Sequence, residues 1–200
     1  FIAGELGGMG LIKNCVEQGK QAMENILKYV STKSEKADYE VIIVGAGPAG
    51  ISASLTAKKN EVSFLTLEQD TLGGTVFSFP RSKIIMTSPM ELPLFGKIKL
   101  FETSKTELLR IWKDVLNKNN IQILENCKVE SIIKVNDTFH VHTATGKKFT
   151  AKSVLVAIGR RGSPRKLNIK GEEIEKVAYR LLEPENIKGK NIVVVGGGDS

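Results

Sequence analysis

The stretch VIIVGAGPAG at residues 41–50 decides the fold. An apolar, β-branched run leads directly into Gly45, Gly47 and Gly50, which have the GxGxxG spacing of a dinucleotide-binding strand-turn-helix. In such a turn the first glycine bends the chain, the second lets a pyrophosphate approach the backbone, and the third lets the helix pack closely on the sheet. Backbone N–H groups and the positive end of the helix then bind the phosphates.

The residues after these glycines complete a β-α-β unit. A helix is predicted to about Asn60, and a second short strand, VSFLTLE, ends at Glu68. An acidic residue roughly 20 positions after the glycines binds the ribose hydroxyls in dinucleotide sites, and Glu68 lies at that distance. Strand, helix and acid together predict an α/β fold with a dinucleotide site rather than a merely structural glycine turn.

Beyond Glu68 the sequence predicts a long irregular segment and then a helix. Residues 69–101 are rich in Pro, Gly, Ser and Thr, so we expect a surface or ligand-facing segment. Ser104 and Glu107 form a capping-box pattern in front of an amphipathic helix. Trp112 lies on the apolar side of that helix and is expected to be a core residue.

The following residues predict further strands. After a short strand, IQIL, the alternation of apolar and polar residues over 128–150 predicts a small antiparallel meander. The run SVLVAIG at 153–159 predicts a separate buried strand. Residues 191–200 repeat the pattern of a strand followed by glycines.

The chain opens with FIAGELGGMG, a glycine-dense turn that contains one acidic residue, Glu5. Residues 10–30 have apolar side chains at helical spacing and predict an amphipathic helix, and residues 31–39 have the composition of a linker. Because the initiator Met is missing and the turn lacks a preceding strand, we expect a fragment.

Composition and charge exclude several classes of protein. Hydrophobic residues make up 41% and charged residues 26% of the chain, which excludes a disordered or collagen-like chain. No apolar run approaches the roughly 18 residues of a membrane span, and no signal segment is evident, so a soluble, cytoplasmic protein with no membrane partner is expected. The net charge of +7 comes from lysines spread along the chain without interleaved aromatics, so no nucleic-acid partner is expected.

The remaining polar candidates are weaker. Cys15 and Cys127 are too far apart in sequence for a CxxC pair or a metal cluster, and Cys15 is expected to be a core residue of the first helix. His140 and His142 share one face of a predicted strand, but without a third ligand we expect exposed strand residues and no metal site. Three arginines after the predicted strand at 153–159 either contact a phosphate or lie in a solvated loop: Arg160, Arg161 and Arg165.

Three motifs carry a family resemblance over about residues 40–200. GAGPAG with Glu68, LGGT at 72–75 and LVAIGRRGSPR at 155–165 resemble the FAD half of the pyridine nucleotide-disulfide oxidoreductases, in their thioredoxin reductase-like branch. VVVGGGDS at 193–200 resembles the opening of that family's inserted NAD(P)H domain. The resemblance implies a Rossmann-like FAD-binding domain, with a parallel sheet, helices and a small antiparallel meander, followed by the start of a second Rossmann domain.

The resemblance also implies a domain organisation. Residues 1–30 resemble the segment that closes the FAD domain after the chain returns from the NAD(P)H domain, residues 40–190 the FAD domain itself, and 191–200 the first strand and glycine turn of the NAD(P)H domain. The closing segment either belongs to a preceding module in tandem, which we favour, or serves the fingerprint of its own chain in a permuted order.

The cofactors that the resemblance implies are FAD and either NADPH or NADH. Its implied pyrophosphate-binding residues are Gly45, Gly47, Pro48, Ala49 and Gly50, the adenosine ribose is bound by Glu68 with Gln69, and the adenine lies at Val129. The ribityl chain or flavin ring lies along Gly74, Thr75, Met86 and Thr87, Ala157 and Gly159 cover the cofactor, and Glu5 and Gly10 of the closing segment contact it. The nicotinamide site begins at Gly196, Gly198 and Asp199.

The implied activity is that of an FAD-dependent NAD(P)H oxidoreductase, in which hydride passes to FAD and electrons pass to an acceptor without a catalytic acid or base. Thioredoxin reductases carry a CxxC before the second glycine cluster, whereas residues 177–191 contain no cysteine, so thioredoxin reduction is not expected. The chain is closer to the ferredoxin (flavodoxin) NADP reductases and, through residues 78–96, to bacillithiol disulfide reductase-like proteins. The latter have a cysteine where this chain has Ala49.

The acceptor is therefore expected to be an electron-acceptor protein, ferredoxin or flavodoxin, or a low-molecular-weight disulfide, and a homodimer is compatible with the resemblance. Two alternatives stay open: a non-catalytic flavin- or nucleotide-binding module of a larger tandem protein, and a flavin monooxygenase, which shares the same fingerprint.

Overall fold

The structure is a computed structural model that describes residues 1–8, 10–29, 37–81, 83–160, 166–179, 181 and 183–196. Its helices and strands, in chain order, are α1 (Ile12–Leu27), β1 (Tyr39–Val44), α2 (Pro48–Lys59), β2 (Phe64–Leu67), β3 (Ile84–Met86), β4 (Met90–Leu92), β5 (Gly96–Ile98), β6 (Glu102–Ser104), α3 (Lys105–Lys118), β7 (Ile123–Leu124), β8 (Val129–Val135), β9 (Thr138–Thr143) and β10 (Lys148–Val156). Single turns of 3-10 helix lie at Glu5–Gly7 and Pro184–Ile187.

The centre of the fold is a six-stranded sheet in the order β7-β2-β1-β10-β9-β8. Strands β7, β2, β1 and β10 run parallel, with Ile43 of β1 level with Thr66 of β2 and Leu155 of β10. Strands β10, β9 and β8 are antiparallel and form the meander. The predicted α/β class, with a parallel sheet and a small antiparallel meander, is confirmed.

Strand β1 is buried on both faces, which explains its unbroken apolar sequence. Val41 and Ile43 belong to the core on the side of α1 and α2. Ile42 and Val44 point to the other face and belong to a core that includes Val141 of the meander. Because successive side chains of a strand alternate between faces, this strand contributes to two hydrophobic cores at once.

Helices α1 and α2 pack against each other beside the sheet. Met23 and Ile26 of α1 are fully buried in the core that they share with α2 and β1. Helix α3 starts as predicted, since the Ser104 hydroxyl accepts a hydrogen bond from the Glu107 N–H at 3.1 Å. Trp112 of α3 is 0% exposed, so its prediction as a core residue is also confirmed.

The first residues of the chain extend the sheet next to β10. The Ala3 N–H donates to the Val156 carbonyl at 3.1 Å, and the Val156 N–H donates to the Phe1 carbonyl at 2.9 Å. Ile2 forms a parallel bridge with Val156. Strand β9 pairs only with residues 148–151 of β10, so residues 1–3 occupy the pairing edge that β9 leaves open.

The segment at 69–101 is more buried than the predicted surface or ligand-facing segment. It contains β3, β4 and β5, and side chains at Ile85, Met90, Leu92 and Ile98 are buried in the core below α3. These strands have three residues each, which is too short for a two-residue period to be recognised in the sequence.

Three smaller predictions are also corrected. The meander and the buried run at 153–159 are not separate, because β10 continues from Lys148 to Val156 and serves both. His140 and His142 are half-buried rather than exposed. Residues 191–196 form no strand, and Val193, Val194 and Val195 are 70–87% exposed, because no neighbouring strand within the described residues pairs with them.

Across the part of the chain that the structure describes, none of the helices combines the length and apolar character that crossing a membrane requires.

Candidate functional site

The glycine turn between β1 and α2 is shaped by backbone contacts that leave no room for side chains. Gly45 has a φ of +106°, and a Cβ on it would lie 2.5 Å from the Ala157 carbonyl oxygen. A Cβ on Gly50 would lie 1.8 Å from the Gly45 carbonyl oxygen. Pro48 takes the first helical position, where no N–H is needed. Local geometry therefore requires glycine at the first and third positions of the motif.

Gly47 is the glycine of the motif that faces open space. Its φ is −77°, and a Cβ on it would meet no atom within 4 Å. Gly47 is also the N-cap of α2, and no side chain caps that helix. The first N–H groups of the helix lack intrahelical acceptors, and the helix dipole adds a partial positive charge there. An uncapped helix end beside an open glycine suits an anionic group such as a phosphate.

Glu68, at the end of β2, is tied to the same turn. One carboxylate oxygen accepts the Ala46 N–H at 2.7 Å, and the other accepts the Asp70 N–H at 3.0 Å. The residue is 5% exposed. Each carboxylate oxygen has a second lone pair, so both remain able to accept hydrogen bonds from a ligand's hydroxyl groups.

Gly47 and Glu68 lie on the wall of one cavity of about 330 Å³. The wall is continuous with the turn on both sides: Cys127 donates its N–H to the Glu68 carbonyl at 2.8 Å, and Gly4 packs close to Ala49. The residues predicted from sequence that line this cavity are Glu5, Gly10, Gly45, Gly47, Pro48, Ala49, Glu68, Gln69, Gly74, Thr75, Val129, Ala157 and Gly159.

Other predicted residues lie elsewhere. Gly50 packs behind the turn, against Gly45. Met86 is 76% exposed on β3, and the Thr87 N–H donates to the Phe101 carbonyl at 2.9 Å, so neither residue lines the cavity.

The predicted residues near the end of the sequence are not brought to the cavity either. Gly196 is exposed and has no atom within 4 Å of its Cβ position. Gly198 and Asp199 lie outside the described residues. Arg160 is exposed and does not line the cavity, and Arg161 and Arg165 also lie outside the described residues.

Sequence reasoning missed several residues that line the cavity: Gly4, Ile12, Cys15, Val44, Leu67, Val76, Phe79, Cys127, Lys128 and Ile158. Cys127 and Lys128 immediately precede the predicted Val129, so their place in the sequence was a usable signal. Phe79 lies in the Pro- and Ser-rich segment, where no hydrophobic periodicity indicates which side chains face the interior. Its ring has the Lys83 ammonium 4.3 Å from its centroid, and its carbonyl accepts the Lys105 ammonium at 2.9 Å.

Cys15 is buried in the core, as predicted, but it also lines the cavity. Burial raises the pKa of its thiol, and the negative charge of Glu5 raises this pKa further, while a hydrogen bond with the backbone of Glu5 lowers it by less. The thiol therefore stays protonated near neutral pH and is a poor nucleophile.

Residues 1–27 hold their side of the cavity wall through contacts with the glycine turn. The Gly4 N–H donates to the Gln18 side-chain carbonyl at 2.9 Å. A Cβ on Gly19 of α1 would lie 2.0 Å from the Ala49 carbonyl oxygen, so the two helix backbones touch at this point. Only glycine at position 19 allows α1 to lie this close to the start of α2.

The His140 and His142 side chains lie outside the cavity, and among the described residues no group of three His, Cys, Asp or Glu side chains could hold a metal ion.

The cavity's arrangement agrees with the family whose model matches residues 42–200, pyridine nucleotide-disulphide oxidoreductase. The chain belongs to this family. Curated relatives include a ferredoxin–NADP reductase from Ignicoccus hospitalis, 31% identical over 163 residues that cover 80% of this chain and 50% of the relative. Ferredoxin–NADP reductase 1 from Bacillus anthracis is 31% identical, over 81% of this chain and 45% of the relative. The chain thus spans about half the length of the curated relatives it matches.

Two solved structures show the same fold. A bacillithiol disulfide reductase from Bacillus cereus superimposes with a TM-score of 0.60 at 24% identity, over 72% of this chain and 47% of that one. A flavin-containing monooxygenase from Stenotrophomonas maltophilia superimposes with a TM-score of 0.54 at 19% identity, over 60% and 38% of the two chains. At these identities the likeness is one of fold.

Proposed function

We propose that this chain is the FAD-binding part of an NAD(P)H oxidoreductase. The observation that carries the proposal is the cavity in which an open glycine, an uncapped helix start and a buried carboxylate line one wall. A pyrophosphate needs N–H donors and a positive helix end, and a ribose needs a hydrogen-bond acceptor, so these groups suit a dinucleotide.

The proposed placement follows from the chemistry of the wall. Gly47 and the start of α2 would hold the pyrophosphate, and Glu68 would accept hydrogen bonds from the adenosine ribose. Val129 would contact the adenine, and Thr75 and Phe79 would contact the flavin end of the cofactor.

In this proposal FAD supplies the redox chemistry, accepting hydride from NAD(P)H and passing electrons to the acceptor. The chain binds and orients it. Ala157 and Gly159, which follow β10, would cover the cofactor, and the apolar side chains of Ile12 and Phe79 would exclude water from the ring. No side chain needs to move a proton for hydride transfer, so we assign no catalytic acid or base.

We also propose that residues 1–27 complete the cavity of their own chain. The pairing of residues 1–3 with β10 and the contact between Gly19 and Ala49 support this permuted order over the tandem order favoured from sequence. Residues 191–200 remain, in our proposal, the opening of the NAD(P)H domain.

For the acceptor we propose ferredoxin, flavodoxin or a low-molecular-weight disulfide, in a cytoplasmic protein. Support comes from the curated relatives named ferredoxin–NADP reductase and from the absence of a CxxC pair in this sequence.

The experiment is an absorption spectrum of the purified chain, followed by heat release and chromatography of the cofactor. We expect a two-band flavin spectrum and released FAD. In Gly47→Ala the new methyl group projects into the space of the pyrophosphate without a clash in the fold, so this variant should fold and bind FAD at least about tenfold more weakly. Gly171→Ala is the control for general destabilisation, because its φ of +92° strains an alanine but Gly171 lies outside the cavity, so FAD affinity should not change.

Two results would contradict the proposal. A folded chain that takes up no added FAD would refute the cofactor assignment, and equal FAD affinity in Gly47→Ala and the parent chain would refute the placement of the pyrophosphate. Deleting residues 1–27 tests the closing segment separately. Unchanged FAD affinity in a folded deletion variant would mean that this segment does not complete the cavity of its own chain and would favour the tandem order.

A further inference from the structure

Part of the cavity wall is formed by a turn that belongs to no helix or strand. Phe79 lines the cavity at this turn. The Ser78 N–H donates to the Thr75 carbonyl at 3.0 Å, and the Phe79 N–H donates to the Val76 carbonyl at 3.2 Å. Phe77 is 42% exposed. Local hydrogen bonds of this kind hold a turn weakly, so the position of Phe79 also depends on contacts from neighbouring elements.

Lys105, the first residue of α3, makes such a contact. Its ammonium donates to the Phe79 carbonyl at 2.9 Å and lies 5.3 Å from the centroid of the Phe77 ring. The residue is half-buried. A charged donor suits both neighbours, because the carbonyl oxygen accepts its N–H and the face of the aromatic ring attracts its charge. Lys105 therefore ties the turn to the start of α3.

A second ammonium lies over the ring of Phe79 itself. The Lys83 N–H donates to the Pro80 carbonyl at 3.1 Å, so the chain turns back after Phe79. The Lys83 Nζ then lies 4.3 Å from the centroid of the Phe79 ring, which is within the usual range of a cation–π contact. Two cations thus converge on one residue of the cavity wall.

Neither of these two charges is neutralised by a carboxylate. Within the described ranges, no Asp or Glu oxygen lies within 4.0 Å of the Nζ of Lys83 or Lys105. The neighbouring cation Arg81 differs, because it pairs with Glu183 at 3.3 Å. Coulomb attraction is stronger where water is excluded than in bulk solvent, so an unpaired, half-buried ammonium favours an anion nearby. The wall at Phe79 carries uncompensated positive charge.

A flavin changes its charge when it is reduced. Hydride transfer moves two electrons and one proton from NAD(P)H to the neutral, oxidised ring of FAD. The products are NAD(P)⁺ and a reduced ring that carries one negative charge at neutral pH. Charge near the ring is one of the means by which a protein sets the properties of its flavin. Positive charge at the flavin end of the cavity therefore stabilises the reduced form more than the oxidised form.

We propose that Lys83 and Lys105 are positioning residues that hold Phe79 at the flavin end of the cavity and make the site bind reduced FAD more tightly than oxidised FAD. This inference rests on the proposed function, since it requires FAD in this cavity.

The experiment measures the midpoint potential of FAD bound to the chain, by equilibration with a reference dye, together with the dissociation constant of oxidised FAD. In the double variant Lys83→Met with Lys105→Met, both side chains stay long and lose their charge. Reduced FAD should lose about ten times more affinity than oxidised FAD, which corresponds to a fall of about 30 mV in the two-electron potential. Lys105→Arg keeps a cation with N–H donors, so it should retain the potential of the parent chain.

Two further variants complete the design. Lys113→Met is the matched control, because Lys113 is exposed on the same helix and does not line the cavity, so the potential should equal that of the parent. Lys83→Met alone leaves the contact of Lys105 with the backbone in place. This single variant should bind FAD and show a smaller fall in potential, even if the double variant does not bind FAD.

Three results would separate the explanations. Equal weakening of both forms of FAD, with an unchanged potential in the double variant and in Lys83→Met, would overturn the inference, because the lysines would then only hold the turn. A similar fall in Lys113→Met would also overturn it, since net charge rather than these two positions would set the potential. A parent chain that binds no FAD would instead refute the proposed function, and this inference would fall with it.

Discussion

Two parts of this chain have nearly the same sequence pattern and different structures. Residues 41–50 and residues 191–196 both place an apolar, β-branched run before glycine. In the first, Val41, Ile42 and Ile43 are 0% exposed in a central strand. In the second, Val193, Val194 and Val195 lie in no strand and are at least 70% exposed.

The difference teaches that the apolar run does not make a strand by itself. Strand β1 has β2 on one side and β10 on the other, and α1 and α2 cover one of its faces. Residues 191–196 pair with no strand among the described residues. Because isolated strands are unstable in water, the pairing partners and not the sequence pattern decide which run is ordered.

The largest effect is expected from alanine at the first glycine of each run. Gly45 and Gly196 have nearly equal φ values, +106° and +108°. In Gly45→Ala the Cβ would lie 2.5 Å from the Ala157 oxygen, so we expect a loss of about 3 kcal/mol in the free energy of unfolding. Gly196→Ala meets no atom and adds only the strain of an alanine at positive φ, about 1 kcal/mol. Urea titrations measure both values, and equal losses would show that φ, rather than packing, sets the cost.

The second-largest effect is expected from neutralising Glu68, the carboxylate that contacts the glycine turn after residues 41–44. Glu68 accepts the Ala46 N–H, and Glu68→Gln keeps the size of the side chain while removing its charge. We expect about a tenfold loss of FAD affinity, which corresponds to about 1.4 kcal/mol. Titration of the cofactor-free chain with FAD measures this loss. Glu130→Gln, on the exposed surface of β8, is the control, and an equal loss in this variant would argue against the ribose assignment.

A smaller effect is expected from shortening one apolar side chain in each run. Ile43→Val should lower the free energy of unfolding by about 1 kcal/mol, because the side chain is fully buried between the helices and the sheet. Val194→Ala should change it by less than about 0.5 kcal/mol, since this side chain is 82% exposed. A comparable loss in Val194→Ala would mean that residues 191–196 are packed in solution.

The smallest effect concerns α1, the helix that covers the first run. The pKa of the Cys15 thiol is raised above its ordinary value of 9.0 by burial and by the charge of Glu5. Above pH 9.0 the unfolded thiol ionises while the folded thiol stays protonated, so stability is retained at lower pH and falls as the pH rises. Denaturation of the parent chain and of Cys15→Ala between about pH 8 and pH 10 should show a steeper fall in the parent. Parallel curves would show that the thiol is not shielded from water in the folded chain.

Local signals in the sequence were sufficient for the elements that have strong periods or caps. The β1 run, the Ser104 cap and the alternation of the meander each depend on neighbouring residues, and each appears in the structure. The short strands of residues 84–98 were missed because their order comes from packing under α3, which a local pattern does not contain.

The cavity was predictable where its residues belong to the glycine fingerprint or adjoin it. Phe79 and Cys15 could not be assigned to it, because their positions depend on how a long loop and the first helix fold onto the turn. The close approach of Gly19 to Ala49 could not be predicted either, because glycine inside a helix indicates only a low helix propensity until the neighbouring backbone is known.

The pairing of residues 1–3 with β10 has a consequence for the order in which the chain can assemble during its synthesis. The Phe1 nitrogen donates to the Val154 carbonyl, 153 residues further along the chain. The residues that open the segment leave the ribosome long before the strand that receives them, so their pairing with β10 cannot form until that strand has been synthesised. Long-range pairing of this kind is slow to form and leaves apolar surface open to chaperones. Gly4 and Glu5 are thus synthesised before the other residues of the cavity wall, but they are among the last to reach their folded position.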